Sequence, residues 1–408
     1  MAWSPKQERA LRLVDEWLKD PSSPQVFRLF GYAGTGKTTL AKHFAEGVPG
    51  TVLFAAFTGK AAHVLQTKGC EGASTIHSLI YHTADKSTAT LKELEGALEE
   101  LTAQLKAAGK DPQYDKKAHE LAERIRIEKL NASRPSFRLN FESPVRTASL
   151  VVIDECSMVD GKMGEDLLSF GTKVLVLGDP AQLPPVGGTG YFTEGIKPDV
   201  MLDEIHRQAE DNPIIHMATV VRNGVQLSLG DYGSSRVIDS SMLNAEMALA
   251  ADQIIVGRNK TRYAYNKRLR QLYNRMDPLP MPDDRLVCLR NNHDMGLLNG
   301  AIWRTISASP PEGDRVWLKL EGVDRSGKIE VECHTHHFLG NSGDIPFYER
   351  KEAEEFDFGY ALTCHKSQGS QWDHVLVMDE SWCFRENRWR WLYTAITRAA
   401  EKVVVVRS

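Results

Sequence analysis

The stretch GYAGTGKTT, residues 31–39, constrains the fold of this chain more than any other. It matches the pattern G-x-x-x-x-G-K-[ST], follows the apolar run VFRLF and precedes a segment of helical character. Glycines in such a loop let successive backbone N–H groups point at phosphate oxygens, at a helix N-terminus where the helix dipole favours an anion. The pattern in this setting therefore predicts a strand, a phosphate-binding loop and a helix.

The loop and one acidic strand end together predict a nucleotide site that uses ATP and Mg²⁺. Lys37 is expected to reach the β- and γ-phosphate oxygens, and the Thr38 hydroxyl is expected to ligate the metal. The run SLVVIDE ends in Asp154, expected to hold the metal, and Glu155, expected to orient and deprotonate the attacking water. The predicted nucleotide contacts in the loop are Gly31, Ala33, Gly34, Thr35, Gly36, Lys37, Thr38 and Thr39.

Short apolar runs recur along the chain and are typical of strands buried on both faces of a parallel sheet. They are VFRLF (26–30), TVLFAAF (51–57), SLVVIDE (149–155), KVLVLGD (173–179), QIIVG (253–257), HVLVMD (374–379) and KVVVVR (402–407). Helix-like segments separate many of these runs, which indicates an α/β fold. Because the runs cluster at 26–179 and 253–407 of a 408-residue chain, two such sheet domains are expected.

Composition excludes several classes of protein. No apolar run approaches the ~18 residues that span a bilayer, and the N-terminal stretch lacks the apolar core of a signal peptide, so we expect a cytoplasmic protein without a membrane partner. A net charge of -4 excludes a general polycation but leaves room for a basic groove. The six cysteines include no CxxC pair, which argues against a disulfide framework or a zinc ribbon.

Two stretches depart from the α/β pattern. Between residues 88 and 130, leucines at a 3,4 spacing and a turn at 109–112 predict an antiparallel helical hairpin, which could be no more than a solvated arm. From 285 to 351, short β-like runs separated by Asn-Gly and Gly turns predict a small antiparallel barrel inserted in the second sheet domain. The sequence CHTHH (333–337) sets His334 and His336 on one strand face, but with no second ligand pair nearby it does not by itself predict zinc.

Six further stretches separate this chain from other P-loop NTPases. They are FTGKAAHVL (57–65), STIHSLI (74–80), GDPAQLPPVGG (178–188), LDEIHRQ (202–208), ALTCHKSQGSQWDHV (361–375) and LYTAITRA (392–399). With the P-loop and the acidic strand end, their order closely resembles the motifs of superfamily 1B DNA helicases, the RecD-like and Dda-like branch. GDPAQLPPV marks the branch, since the other branch carries an acidic GDDDQS-type sequence there.

The resemblance implies a domain plan. Two RecA-like P-loop domains would clamp ATP between them and hold single-stranded DNA across their tops. The first, 1A, would comprise 1–80 and 146–205, and the second, 2A, 206–284 and 352–408. Inserted subdomains would be 1B at 81–145, with the helical arm and a pin, and 2B at 285–351, the small β-barrel.

The resemblance also assigns residues around the nucleotide. Gln182 resembles a γ-phosphate sensor, Arg207 and Arg398 resemble arginines that reach the phosphates, and Gly369 would contribute to the ATP site. Gln7 has two interpretations: the family uses a glutamine so placed to read the adenine edge, but SPKQ also fits a capping box at the start of a helix. Either arginine could instead form a surface ion pair.

For DNA, the resemblance implies contacts that do not read bases. The implied residues are Thr58, Lys60, Thr75, His77, Thr363, His365 and Lys366. In SRPSFRLNFES (133–143), Phe137 or Phe141 could act as the pin that wedges against a base pair.

The expected function is an ATP-dependent DNA helicase that moves 5′ to 3′ along single-stranded DNA and opens forked duplexes. One alternative is the motor subunit of a RecD-like recombination nuclease complex, and a second is an NTP-driven protein remodeller. The helical arm could bind a single-strand-binding protein or a replisome or recombination partner. Replication, recombination and repair stay open, and the location would be the host cytoplasm if the chain is phage-encoded.

Overall fold

The computed structural model describes residues 3–84, 89–133, 136–186, 188–204, 212–292, 294–323, 326–345, 350 and 352–407. The strands in the first half of the chain are β1 (Val26–Gly31), β2 (Val52–Ala56), β3 (Ser74–Thr75), β4 (Tyr81–Ala84), β5 (Ser136–Leu139), β6 (Leu150–Asp154), β7 (Val174–Gly178) and β8 (Val200–Leu202). Those in the second half are β9 (Gly230–Tyr232), β10 (Ser235–Asp239), β11 (Gln253–Val256), β12 (Arg285–Cys288), β13 (Ile302–Ala308), β14 (Arg315–Gly322), β15 (Lys328–His334), β16 (Phe356–Phe358), β17 (Ala361–Thr363), β18 (Trp372–Met378) and β19 (Ala399–Arg407).

Helices connect most of these strands. The α-helices span Pro5–Lys19, Lys37–Glu46, Gly59–Thr67, Ile76–Ile80, Ala89–Ala107, Lys116–Ser133, Gly161–Leu168, Pro213–Arg222, Ala245–Leu249, Asn259–Leu272, His336–Leu339, Cys364–Ser367 and Arg388–Ile396. Short 3-10 helices span Pro112–Tyr114, Pro144–Thr147, Cys156–Met158, Ser240–Met242, Ser342–Asp344 and Ser381–Asn387. No helix in the described ranges combines the length and apolar character needed to cross a membrane.

Two six-stranded sheets confirm the predicted α/β architecture, and each of the seven apolar runs forms a strand. The strand order is β3-β2-β6-β7-β1-β8 in the first sheet and β17-β11-β18-β19-β10-β9 in the second. The pairings within them are parallel except at the edge strand β9, which runs antiparallel to β10.

Both faces of the first sheet are buried, which explains why its strands lack an alternating pattern. Along β1, Leu29 packs into the cluster under the N-terminal helix, whereas Phe30 packs into the cluster on the opposite face. Burying one such side chain contributes about 1.5–3 kcal/mol. The continuous apolar run is therefore a requirement of the fold.

A five-stranded antiparallel sheet, ordered β15-β14-β13-β12-β16, lies in the region predicted as a small barrel. It extends past the predicted boundary at residue 351, because β16 pairs with β12 through Leu286 and Phe358. Its core is continuous with that of the second parallel sheet, since Trp303 and Ile254 belong to one buried cluster. The segment therefore shares a core with its host domain.

The helical hairpin predicted over 88–130 is present as the helices Ala89–Ala107 and Lys116–Ser133. Both emerge from the end of a two-stranded ribbon, in which β4 pairs antiparallel with β5 from Tyr81 opposite Leu139 to Ala84 opposite Ser136. The arm and the segment predicted as a pin are thus parts of one insertion. The pairing of β4 with β5, which are about fifty residues apart in the chain, has no local signal in the sequence.

Replacing residues 85–135 by an Asn-Gly turn should leave the two sheet domains folded. The last ribbon pair, Ala84 opposite Ser136, is suited to a two-residue hairpin turn, and the buried arm residues Leu105 and Ile125 belong to none of the four core clusters. We expect a melting temperature close to that of the full chain and unchanged basal ATPase activity. Aggregation of the shortened chain, or loss of that activity, would show that the arm is part of the core.

Candidate active site and nucleic-acid groove

The P-loop lies between β1 and the helix that begins at Lys37, as predicted. The Lys37 ammonium donates to the carbonyl oxygens of Gly31 at 2.7 Å and Tyr32 at 3.0 Å, which holds its charge within the loop. Thr38 Oγ1 donates to Asp154 Oδ2 at 2.8 Å. A hydroxyl and a carboxylate oxygen so close together suit a hard divalent cation such as Mg²⁺.

Glu155 follows β6 in a left-handed backbone conformation, with φ of 53°. A non-glycine residue rarely adopts this conformation, which costs on the order of 1–3 kcal/mol and is commonly found at functional sites. Burial raises the pKa of the Glu155 carboxyl, an effect that Arg398 opposes and Asp154 strengthens. A raised pKa makes this carboxylate a stronger base near neutral pH.

Asp179 and Gln182 form the turn that follows β7. Asp179 is 1% exposed, and its Oδ1 accepts a hydrogen bond from Ala181 N at 2.9 Å. Gln182 is also buried, and no described residue hydrogen-bonds to its Oε1. A buried amide oxygen that accepts no hydrogen bond destabilises the fold if the residue is purely structural. This arrangement therefore favours the predicted role of Gln182 as a sensor of the γ-phosphate.

Tyr393 joins the two sheet domains across the cleft. Its hydroxyl donates to Asp179 Oδ2 at 2.6 Å and accepts a hydrogen bond from Ala33 N in the P-loop at 3.2 Å. Burial and the adjacent Asp179 raise the pKa of this phenol, so it stays a neutral donor. Sequence reasoning missed Tyr393 although it lies in LYTAITRA, because that motif was interpreted for its arginine alone.

Arg398 is 6% exposed and is held by backbone carbonyls of its own domain. Nε donates to Thr394 O at 3.1 Å and Nη1 donates to Ser370 O at 3.2 Å. This burial excludes the alternative of a surface ion pair for Arg398. Arg207, the other predicted arginine, lies outside the described residues.

Gln7 satisfies its capping interpretation and also contacts the P-loop. Its Oε1 accepts from Ser4 N at 3.0 Å, completing the capping box, while Nε2 donates to Thr35 O at 3.1 Å. One side chain therefore ties the first helix to the nucleotide loop. Contact with an adenine stays a prediction.

A cavity of about 190 Å³ separates the P-loop from the second domain. Tyr32, Ala33 and Gly34 line one side, and the helix Pro213–Arg222 lines the other. The Arg222 guanidinium lies 3.5 Å from the centre of the Tyr32 ring. A cation of the second domain thus lies over an aromatic ring of the first domain at the edge of the phosphate loop.

The segment Thr363–Ser370 contacts both domains. The Gln368 amide Nε2 donates to Leu183 O, next to Gln182, at 3.1 Å. A Cβ placed on Gly369 would come within 2.9 Å of Thr58 Oγ1 and of the Ala61 side chain, and the φ of Gly369 is +76°. Only glycine fits this position without displacing its neighbours or straining the backbone.

The residues predicted to bind DNA in the first domain lie at the carboxyl ends of neighbouring strands, because Ala56 of β2 is paired with Thr75 of β3. Thr58 Oγ1 and Thr75 Oγ1 each cap the helix that follows, accepting from Ala61 N and Ser78 N at 3.1 Å. Lys60 is buried, with Nζ 4.9 Å from the centre of the Trp372 ring. Lys60 is thus part of the contact between the domains.

A groove of about 430 Å³ runs beside Thr75 and is lined on its other side by Gly296 and Leu298, in the loop between β12 and β13. Next to it, the His77 ring lies 5.1 Å from that of Phe137 and 5.8 Å from that of Tyr81. Phe141 is 70% exposed at the foot of the ribbon. The geometry connects the predicted pin to the predicted DNA path through an aromatic cluster.

In the second domain, Thr363 and His365 are half-buried and Lys366 is exposed. Burial lowers the pKa of both His77 and His365 below the ordinary 6.5, so both imidazoles are neutral at neutral pH. Neutral imidazoles and hydroxyls contact phosphate as hydrogen-bond partners.

Comparison with known proteins supports one interpretation of this geometry. A family model described as an AAA domain matches residues 4–240, and one described as a UvrD-like helicase C-terminal domain matches residues 358–406. The ATP-dependent RecD2 DNA helicase of Deinococcus radiodurans is 26% identical over 406 residues, covering 92% of this chain and 46% of the relative. The chain thus spans about half the length of that relative.

A second relative is the ATP-dependent DNA helicase Pif1 of Bdellovibrio bacteriovorus, 24% identical over 97% of this chain and 85% of the relative. Among solved structures, Bacteroides Pif1 bound to single-stranded DNA superposes with a TM-score of 0.53 at 16% identity, covering 99% of this chain and 92% of that one. At this identity the structural likeness establishes the fold alone.

Tyr393→Phe should slow nucleotide hydrolysis and lower stability. The change leaves the buried Asp179 Oδ2 without its donor and Ala33 N without its acceptor, at a cost of about 1–3 kcal/mol. We expect a lower melting temperature and a lower kcat for ATP. Tyr232→Phe is the matched control, because its hydroxyl also makes two hydrogen bonds, both to the Ser228 backbone. Equal activity of Tyr393→Phe and wild type would contradict the assigned bridge.

Proposed function

The chain belongs to the AAA-domain family of superfamily 1B RecD- and Pif1-like helicases, and from that premise we propose that it is an ATP-dependent DNA helicase moving 5′ to 3′ along single-stranded DNA. The observation that carries the proposal is the segment Thr363–Ser370. It contacts Leu183 in the turn that holds Gln182, here called the sensor turn, and it lies against Thr58 at the start of the helix Gly59–Thr67, beside the proposed DNA groove. A structural change at either site can therefore reach the other.

At the nucleotide, each residue has a role that follows from its position. Lys37 would exchange its loop carbonyl partners for phosphate oxygens, and Thr38 and Asp154 would hold Mg²⁺, which would neutralise phosphate charge. Glu155, whose pKa is raised by burial, accepts the proton of the attacking water. Arg398 lies buried near this carboxyl and stabilises the charge on the transferred phosphoryl group.

Closure of the cleft is the step that ATP would drive. Tyr393 of the second domain already contacts the P-loop and Asp179, so nucleotide in the cavity adds partners between surfaces that face each other. A rigid-body change between two sheet domains is a common form of such switching. Arg207, which lies outside the described residues, keeps its proposed role as a second arginine that reaches the phosphates.

DNA would follow the groove beside Thr75 and pass the Thr363–Lys366 segment. Thr58 and Thr75 stand at the carboxyl edge of the sheet, where ligands of parallel sheets bind. Lys366 offers an exposed cation in the Thr363–Lys366 segment, and the His77 and Phe137 rings offer faces on which bases can stack. Phe141, exposed at the foot of the ribbon, would part the duplex at a fork.

The 5′ to 3′ direction rests on the resemblance of GDPAQLPPV to the superfamily 1B branch. The likeness in fold to Bacteroides Pif1, whose structure is bound to single-stranded DNA, supports single-stranded DNA as the proposed ligand. A motor subunit of a RecD-like recombination nuclease complex stays the second candidate, because the RecD subunit of the RecBCD enzyme of Mycolicibacterium smegmatis is 25% identical over 63% of this chain.

Duplexes with a single-stranded tail on one side test the proposal. The full chain with ATP and Mg²⁺ should unwind a duplex with a 5′ tail and leave one with a 3′ tail closed, and oligo-dT should stimulate its ATPase many-fold. Glu155→Gln is the control, because it should keep nucleotide binding while losing hydrolysis and unwinding. Preference for the 3′ tail would overturn the direction, and ATPase indifferent to oligo-dT would favour a protein remodeller.

A further inference from the structure

Asp314, His334 and His336 converge at one end of the antiparallel sheet, remote in sequence from every motif of the ATP cleft. The β14–β15 register pairs Arg315 with His334, which places Asp314 beside the end of β15. Thr335 N and Oγ1 donate to Asp314 O at 2.9 and 3.2 Å, fixing the backbone of both strands at this point. His336 begins the short helix His336–Leu339 and turns back toward Asp314.

One ligand atom from each of the three side chains lies within 4.8 Å of those of the other two. The distance from His336 Nδ1 to Asp314 Oδ2 is 3.9 Å, which is too long for a hydrogen bond. The ligand atoms of a tetrahedral ion with metal–ligand bonds of about 2.0–2.2 Å are about 3.3–3.6 Å apart. Rotation of the half-exposed Asp314 side chain would shorten the distance between its carboxylate and His336 Nδ1 toward this value.

His336 Nδ1 needs a partner. The atom is buried, yet no described residue hydrogen-bonds to it. A buried polar nitrogen without a partner costs about 1–3 kcal/mol, and coordination to a cation would satisfy it. Because the Asp314 side chain is 47% exposed, an ion can enter from solvent and keep water as a further ligand.

The local charges are compatible with a cation. Arg315, the neighbouring positive group on β14, is neutralised by Glu332 and Glu352, each with a carboxylate oxygen 3.0 Å from the guanidinium. Two imidazoles and one carboxylate suit divalent transition ions better than Mg²⁺ or Ca²⁺, which prefer oxygen ligands throughout. The donor set therefore selects the class of ion.

We propose that Asp314, His334 and His336 bind a divalent first-row transition ion, for which Zn²⁺ is the probe. Bound there, the ion ties the β14–β15 hairpin to the helix that follows it. The sequence showed only the two histidines, and the fold supplies the third ligand from twenty residues upstream.

The test uses the full chain, free of any affinity tag, stripped with a chelator and dialysed. Calorimetric titration with Zn²⁺ should give one site per chain, and Zn²⁺ should raise the melting temperature. Asp314→Asn and His336→Gln should each weaken Zn²⁺ binding by more than about tenfold and abolish the thermal shift. Unchanged basal ATPase activity of each variant shows that it is folded.

His374→Gln is the matched control, because His374 also lies close to a carboxylate, 3.6 Å from Glu401, but outside the cluster. It should bind Zn²⁺ as the wild type does. Absence of a Zn²⁺ site in the wild type, or equal binding by Asp314→Asn, His336→Gln and wild type, would overturn the proposal.

Discussion

The hydrogen bond from Tyr393 to Asp179 is the interaction on which the active site depends. Asp179 is a carboxylate at the centre of a water-poor cleft, and burying such a group is expensive unless it is hydrogen-bonded. Oδ1 accepts from Ala181 N of its own turn, but the donor to Oδ2 is Tyr393 of the other sheet domain, so the first domain alone leaves half of this carboxylate without a donor. The same tyrosine accepts from the P-loop, and the adjacent Thr394 hydroxyl accepts from Leu183 N at 2.9 Å. The ATP cleft is therefore built jointly by two sheets.

The same interface extends to the proposed DNA path. Gly369 lies against the start of the helix Gly59–Thr67, and Lys60 of that helix lies over Trp372 of the second sheet. The segment Thr363–Ser370, which links these contacts to the sensor turn, is short and mostly buried, so it can move only if the residues packed against it also move. Such a segment transmits a change between sites because its packing permits few arrangements.

The sequence predicted what depends on local chemistry. The seven strands were visible because both sheet faces are buried, and the P-loop was visible because its glycines and Lys37 are fixed by phosphate geometry. What it could not show depends on contacts between distant segments. Tyr393 hydrogen-bonds across the cleft, and Lys60 packs in the contact between the two domains. The strand β16 pairs with β12 at the edge of the antiparallel sheet, and β4 pairs with β5 although the helical arm separates them in sequence. For Gln7 both interpretations were open, and the structure shows capping together with a P-loop contact.

The most direct test of the coupling is the ratio of ATPase activity with saturating oligo-dT to basal activity, measured for wild type, Gly369→Ala and His365→Ala. A methyl group at Gly369 would press on Thr58 and Ala61, whereas His365 is a proposed DNA contact whose ring lies 5.8 Å from that of Phe384 within its own domain. The account predicts that His365→Ala lowers the stimulated rate while sparing the basal rate, and that Gly369→Ala brings the ratio close to one. Ratios equal to that of wild type in both variants would contradict it.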